Sequence, residues 1–355
     1  MRILLESPLE SKLLNTPLDA LCNGSSAVIF FFVLSGFVLN LRFAQAQAYG
    51  RGWWAEFIVR RLFRIYPAFL AVILLAVAVR SAGFGDRGAS YSDNLLSDTY
   101  ALFWSRPFNG SDVARTLTLI GPGIDRDLFD PPMWSLIMEM RISLVFPLII
   151  LAVSRNWGAT GDAVVLAVAY AGAAIAANAG ISTLTHVPHF VLGAMLARHS
   201  KRLAVHMMGL PGLLRALVPI AAFVLYSAGS VIESYGQFGF SADFAGCQLV
   251  GLGAAGFITV GLCSARVKGF LNAGVLQFMG RTSYSFYLLH LVVLVSTVLA
   301  ALALAGRLGF KLPAVWPLCA ISLFVTYFLS YGLFRLVEVP CNRFGRRVAS
   351  GLCRT

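Results

Sequence analysis

The chain has 355 residues, of which 58% are hydrophobic and only 12% charged, and its mean hydropathy is +0.77. A soluble domain carries about 25% charged residues, so the composition excludes a soluble globular enzyme and predicts an all-α polytopic membrane bundle. The formal net charge of +12 does not indicate nucleic acid, because the basic residues are scattered between apolar runs and form no aromatic–basic face; they report orientation in a bilayer instead.

Nine apolar runs follow in order. The first, residues 26–43, is rich in aromatics and carries small Ser35 and Gly36, which allow close helix approach. A basic loop with Arg42, Arg51, Arg60, Arg61 and Arg64 leads to the second, residues 62–82, entered through Tyr66-Pro67. Residues 83–132 read as a long loop with seven Asp, four Arg and turn-forming Gly and Pro. The third run, 134–153, is followed by 163–181, a short run at 187–197, then 212–229, 244–265, 283–305 and 314–337. Residues 1–23 read as an external loop, 24–340 as the helical bundle and 341–355 as a cytoplasmic tail, all within one domain. If the loop with Arg60, Arg61 and Arg64 is cytoplasmic, that side collects 18 of the 28 basic residues and three of the 16 acids. This agrees with the positive-inside rule only if the short fifth run crosses. It leaves the N-terminus outside, and one more upstream span would reverse that.

The third run holds the strongest chemical signal. Glu139 and Arg141 lie inside PPMWSLIMEMRISLVFP, where a charge costs roughly 2.5–3.5 kcal/mol. Two residues apart, they point to opposite faces of a helix and each needs a partner elsewhere. They are structural anchors or parts of a polar reaction site. Arg60, Arg61 and Arg64 in RRLFRIYP share a helix face and suit forked contacts with phosphates; anchoring to anionic lipid is the simpler role. In GRTSYSFYLLH, residues 280–290, Ser283, Tyr287 and His290 share one face, as do Tyr284 and Tyr287. An aromatic belt with one hydrogen-bonded histidine is the structural alternative. Glu338 lies just before Pro340, with Arg335 three residues earlier as a possible ion-pair partner. His186 and His189 have no acidic or cysteine group nearby at ligand spacing, so no metal is expected.

Taken in order, GSSAVIFFFVLSGFVL, FIVRRLFRIYP, WSLIMEMRISLVFP, GRTSYSFYLLH and VEVP resemble the acyltransferase family 3 membrane proteins, which include O-antigen and nodulation-factor acetylases. The resemblance implies about ten helices and transfer of an acyl group, usually acetyl, from cytoplasmic acyl-CoA to a hydroxyl of a cell-surface or exported carbohydrate. It implies that Arg60, Arg61 and Arg64 hold the CoA phosphates. Trp134, Ser135 and Glu139 would line the reaction chamber, with Tyr284, His290 and Glu338 completing it. Glu139 or His290 would act as base and Arg141 would stabilise the developing anion. The expected setting is the inner membrane, with the C-terminus cytoplasmic. The family also carries an Arg and a His ten residues apart on a first helix, which this chain begins after. The expectation is a start site placed too late or a shortened gene, and a polypeptide lacking full activity as written. Two other classes compete: a small-molecule permease, since intramembrane Glu, Arg and His also mark transport pathways, and a non-catalytic scaffold in polysaccharide assembly. Neither matched half-repeats nor broken helices at matching positions are seen, which favours the enzyme.

Overall fold

The computed structural model describes residues 23–45, 52–84, 104, 106–121, 123–125, 127–155, 157–235, 240–309 and 316–352. Among these there are helices and turns and no strand. This follows from the apolar runs: at membrane depth backbone groups must be satisfied within the segment, and helices do so. The helices are α1 Gly24–Gln45, α2 Trp53–Val79, α3 Gly110–Leu117, α4 Met133–Ser154, α5 Gly158–Asn178, α6 Ser182–Thr185, α7 Val187–Gly209, α8 Gly212–Tyr235, α9 Phe240–Cys263, α10 Ala265–Leu271, α11 Gly274–Leu308, α12 Trp316–Leu333 and α13 Val339–Leu352. A five-residue π turn extends α2 at Arg80–Phe84, and another, Phe334–Glu338, joins α12 to α13.

Eight helical stretches among the described residues are long and apolar enough to cross a membrane, and the chain is a multi-pass membrane protein. The ninth expected span is α7. It is helical for 23 residues but is not among the eight, because Arg198, His199, Lys201 and Arg202 load its second half. The eighth run begins its helix at Gly274, earlier than the apolar run at 283. Beyond Pro340 the chain stays helical to Leu352, following the π turn in which the Val339 amide bonds the Phe334 carbonyl. The loop expected at 1–23 lies outside the described residues except for Asn23, whose Oδ1 accepts from the Ser25 amide at 3.0 Å at the start of α1.

The chain divides into two compact units. The first takes α1, α4 from Arg141 onward, and α5–α10; the second takes α2, α3, α4 up to Met140, and α11–α13. In the first unit, α1 packs on α7 and α8 on α9 through small residues, as lipid-embedded helices do where backbones meet. A Cβ on Gly36 would fall on the Phe190 backbone, and one on Gly193 would fall on the Val33 carbonyl. Its basic end is tied by Arg198, which donates to the Val153 carbonyl at 2.6 Å and to Asp162 at 2.7 Å, while His199 Nε2 lies 2.9 Å from the other Asp162 oxygen. In the second unit the core is an apolar cluster of α2, α4 and α11, with Phe69, Ile73, Met133, Leu136, Leu289 and Val292 at its centre. Helix α13 lies on α2, with Phe344 edge-on to Phe63 at 5.4 Å.

The close approach of α1 and α7 predicts that Gly193→Val lowers the unfolding temperature of the detergent-purified protein by several degrees, overpacking costing about 1–3 kcal/mol. Gly172→Val on α5, where a Cβ meets nothing within 4 Å, is expected to leave that temperature unchanged.

Candidate functional site

Residues 135–140 of α4 are buried on every side of the helix. Glu139 is only 3% exposed, so its carboxylate needs a charged or hydrogen-bonding partner from another element. Arg61 of α2 supplies it, as an ion pair. Glu338 is 1% exposed and is held in the same manner by Arg64, one turn further along α2. It also accepts a hydrogen bond from the Ser285 hydroxyl of α11 at 2.8 Å. One face of α2 therefore binds two buried carboxylates from two other elements of the same unit. Arg60, on the neighbouring flank, pairs with Glu56 at 2.5 Å within its own helix.

Tyr284 of α11 sits among these four charges. Its hydroxyl donates to the Ile65 carbonyl at 2.7 Å, and the Arg64 guanidinium lies over its ring at 5.4 Å. Glu139, Glu338, Arg61 and Arg64 all act on it electrostatically. Two guanidinium groups and two carboxylates sum to zero, which is how charge is kept in a low-dielectric interior. One turn further along α11, the Tyr287 hydroxyl donates to the Pro132 carbonyl at 2.9 Å and lies 2.8 Å from the Ser135 hydroxyl. His290 follows after another turn. Its Nδ1 lies 2.6 Å from the Tyr287 carbonyl and its ring stacks on Phe286.

The structure thus brings together Arg61, Arg64, Ser135, Glu139, Tyr284 and Glu338. Trp134 is half-buried in the first turn of α4. Arg141 emerges on the opposite side of α4 from Glu139 and donates to the Thr183 hydroxyl at 3.3 Å, within the other unit. Arg335 does not serve Glu338: its guanidinium lies over the Tyr331 ring at 5.9 Å. The π turn ahead of Glu338 adds a residue to the turn, shifting the face on which Glu338 projects away from that of Arg335. Ser283 is exposed, and its hydroxyl donates to the Gly280 carbonyl at 2.9 Å.

Ser285 and Arg80 were not singled out by the sequence. Ser285 belongs to the buried stripe Thr282, Ser285, Leu288, Leu289 and Val292, whose 3-and-4 spacing is visible in GRTSYSFYLLH once that face is chosen over the one through Ser283. Arg80 is buried at the end of α2 and donates to the carbonyls of Leu128 at 2.5 Å, Trp104 at 3.3 Å and Arg106, with its plane over Phe108 and Phe129. A lone arginine at the end of an apolar run signals buried carbonyl binding only weakly. Among the described residues no three His, Cys, Asp or Glu side chains come together as a metal site.

The family described as an acyltransferase domain matches residues 11–335. The chain is also 27% identical over 359 residues to "Acyltransferase MdmB" of Streptomyces mycarofaciens, a match covering 91% of this chain and 82% of that relative. No solved structure matches. The family match takes in Arg61, Arg64 and Glu139 and ends at residue 335, just before Glu338, and the chain belongs to this acyltransferase family, as an enzyme of the membrane that transfers acyl groups.

Proposed function

We propose that the protein transfers an acyl group, acetyl, from cytoplasmic acyl-CoA to a hydroxyl of a cell-surface or exported glycan, and that it does so in the inner membrane with its C-terminus cytoplasmic. The observation that supports this best is the neutral cluster of Arg61, Arg64, Glu139 and Glu338 beside the hydroxyls of Ser135, Tyr284 and Ser285. It combines a base, hydrogen-bond donors and phosphate-binding groups in a setting poor in water.

Acyl transfer forms a bond between the acceptor oxygen and the thioester carbonyl carbon and breaks the carbon–sulfur bond. The hydroxyl proton passes to a base and then to the departing CoA sulfur, which leaves as the thiol. Glu139 is the base in this reading. Its carboxylate has about four lone-pair sites, so Arg61 can orient it and leave others for the hydroxyl. With a proton on Nδ1 toward the Tyr287 carbonyl, His290 presents Nε2 as a second acceptor. The Ser135 and Tyr287 hydroxyls donate to the oxyanion in this reading by turning a proton away from the Pro132 carbonyl. Arg141, whose guanidinium also donates to the Thr183 hydroxyl, stabilises the developing anion in this reading. Arg60, Arg61 and Arg64 hold the CoA phosphates. A guanidinium has five N–H donors in a fork, and the Arg64 side chain is 41% exposed, so it can keep Glu338 on one edge and take a phosphate oxygen on another. With α7, 23 residues long, counted as a ninth crossing, the excess of Arg and Lys on the side of the α2 entrance supports reading this face as cytoplasmic.

With substitutions made in the chromosomal gene and transfer of labelled acetyl from acetyl-CoA to envelope glycan measured in isolated membranes, Glu139→Gln is expected to lower turnover by about 10²–10⁴-fold, the contribution of a positioned base. Unchanged turnover would remove Glu139 from the reaction. In the same assay Arg61→Ala is expected to raise the half-saturating acetyl-CoA concentration by about tenfold, one lost charged hydrogen bond. An unaltered value would place the phosphates elsewhere.

A further inference from the structure

Asp130 is 1% exposed, and neither of its carboxyl oxygens has a hydrogen-bond partner among the described residues. An aspartate at the entry of a helix ordinarily takes the N–H groups of the next two or three residues. Here residues 131 and 132 are both proline and have none. The Met133 amide is taken by Asp130's own carbonyl at 2.9 Å, that of Trp134 by the Pro131 carbonyl at 3.3 Å and that of Ser135 by the Pro132 carbonyl at 3.2 Å. The stretch DPPMWS therefore withholds every local donor from this carboxyl. Arg80, which organises the same loop, gives its guanidinium to the carbonyls of Leu128, Trp104 and Arg106.

Buried polar groups nearly always have a partner, and each exception calls for an explanation. We propose that Asp130 is an acceptor-binding residue, whose carboxyl at the entry of α4, beside the Tyr287 and Ser135 hydroxyls, holds a hydroxyl of the acceptor glycan. This rests on the acyl-transfer reading above and adds the acceptor side to it. Burial raises the Asp130 carboxyl well above the usual carboxylate range, which favours the protonated form, with one O–H donor and one carbonyl acceptor. A sugar hydroxyl is itself one donor and an acceptor, and the two match; an amine or a metal ion would require the ionised form. Tyr287 reaches the Pro132 carbonyl two residues on, and Asp130 lies within electrostatic reach of Tyr287. Asp130 stands before α4, and Glu139 lies six positions into that helix from Met133, about 9 Å at the rise of a helix. The hydroxyl it holds is thus a different one from the hydroxyl that meets Glu139, and the fitting acceptor carries more than one hydroxyl.

The test uses the detergent-purified protein with envelope glycan extracted from the producing cells and stripped of its O-esters by mild alkali. In the wild type this glycan is expected to raise the unfolding temperature and to accept labelled acetyl from acetyl-CoA. Asp130→Leu and Asp130→Ala are expected to raise the half-saturating glycan concentration by about tenfold and to abolish the glycan-dependent thermal shift, with the half-saturating acetyl-CoA concentration within about twofold of wild type. Asp130→Asn, which keeps a donor and an acceptor, is expected to stay within about threefold on both substrates. An unchanged glycan requirement in the Leu and Ala variants, or an equal rise for acetyl-CoA, overturns the proposal. So does failure of both variants to accumulate folded, since Asp130 would then be a structural anchor. If the wild type transfers no acetyl, the acyl-transfer reading fails separately, and the thermal shift still decides whether Asp130 binds glycan.

Discussion

A charge inside a bilayer needs a partner of opposite sign or a ligand, and helix α2 provides such partners twice. Arg61 and Arg64, one turn apart, each hold a carboxylate that is almost inaccessible, Glu139 from α4 and Glu338 from the π turn after α12. Three elements distant in sequence are tied by these pairs, and the aromatic and hydroxyl groups of α11 fill the space around them. Hydrophobic burial alone gives little preference between lipid and a neighbouring helix. The register of the second unit rests instead on where these charges meet and on small residues where backbones touch.

The same cluster gives the unit its chemical character. Paired charges are oriented and relieved of water before any substrate arrives, which is the condition under which a base and its hydrogen-bond donors act most strongly. The arginine pairs have an outer and an inner end. Arg64 is partly open, while Glu338 behind it is closed off. In the proposed reading, this open edge is where the phosphates of the acyl donor are met without the cluster being dismantled. At the entry of α4, the two prolines after Asp130 leave a second buried carboxyl without local donors. Among the described residues of the unit, Glu139 and Glu338 are paired while Asp130 is not.

Much of this was legible in the sequence. Glu139 and Arg141, two apart in an apolar run, required separate partners, and each has one. Gly36 announced a close helix contact, and its absent Cβ is where the Phe190 backbone lies. Which partner each charge takes was not legible, because pairing across 78 or 274 residues depends on how helices pack, not on local spacing. The nearby Arg335 looked the natural partner of Glu338 at helical spacing. The π turn changes that spacing, and no residue in FRLVE announces one. The extent of α7 was legible only in part, since its apolar half ends at Ala197 while the helix runs on through Arg198 and His199, which are held by Asp162. Ser285 was missed because two faces of α11 carry hydroxyls, and only packing reveals which one is buried.

The pairing of α2 with its carboxylates is tested most directly by a double-mutant cycle on Arg61 and Glu139, read as unfolding free energy in mixed micelles. The account predicts that Arg61→Met and Glu139→Gln each destabilise by about 3–5 kcal/mol, since each leaves the other member of a buried pair without its partner. Together they should cost less than the sum of the two, with a coupling of about 2 kcal/mol or more. Small, strictly additive losses would contradict it and would mean that these charges are held apart from one another.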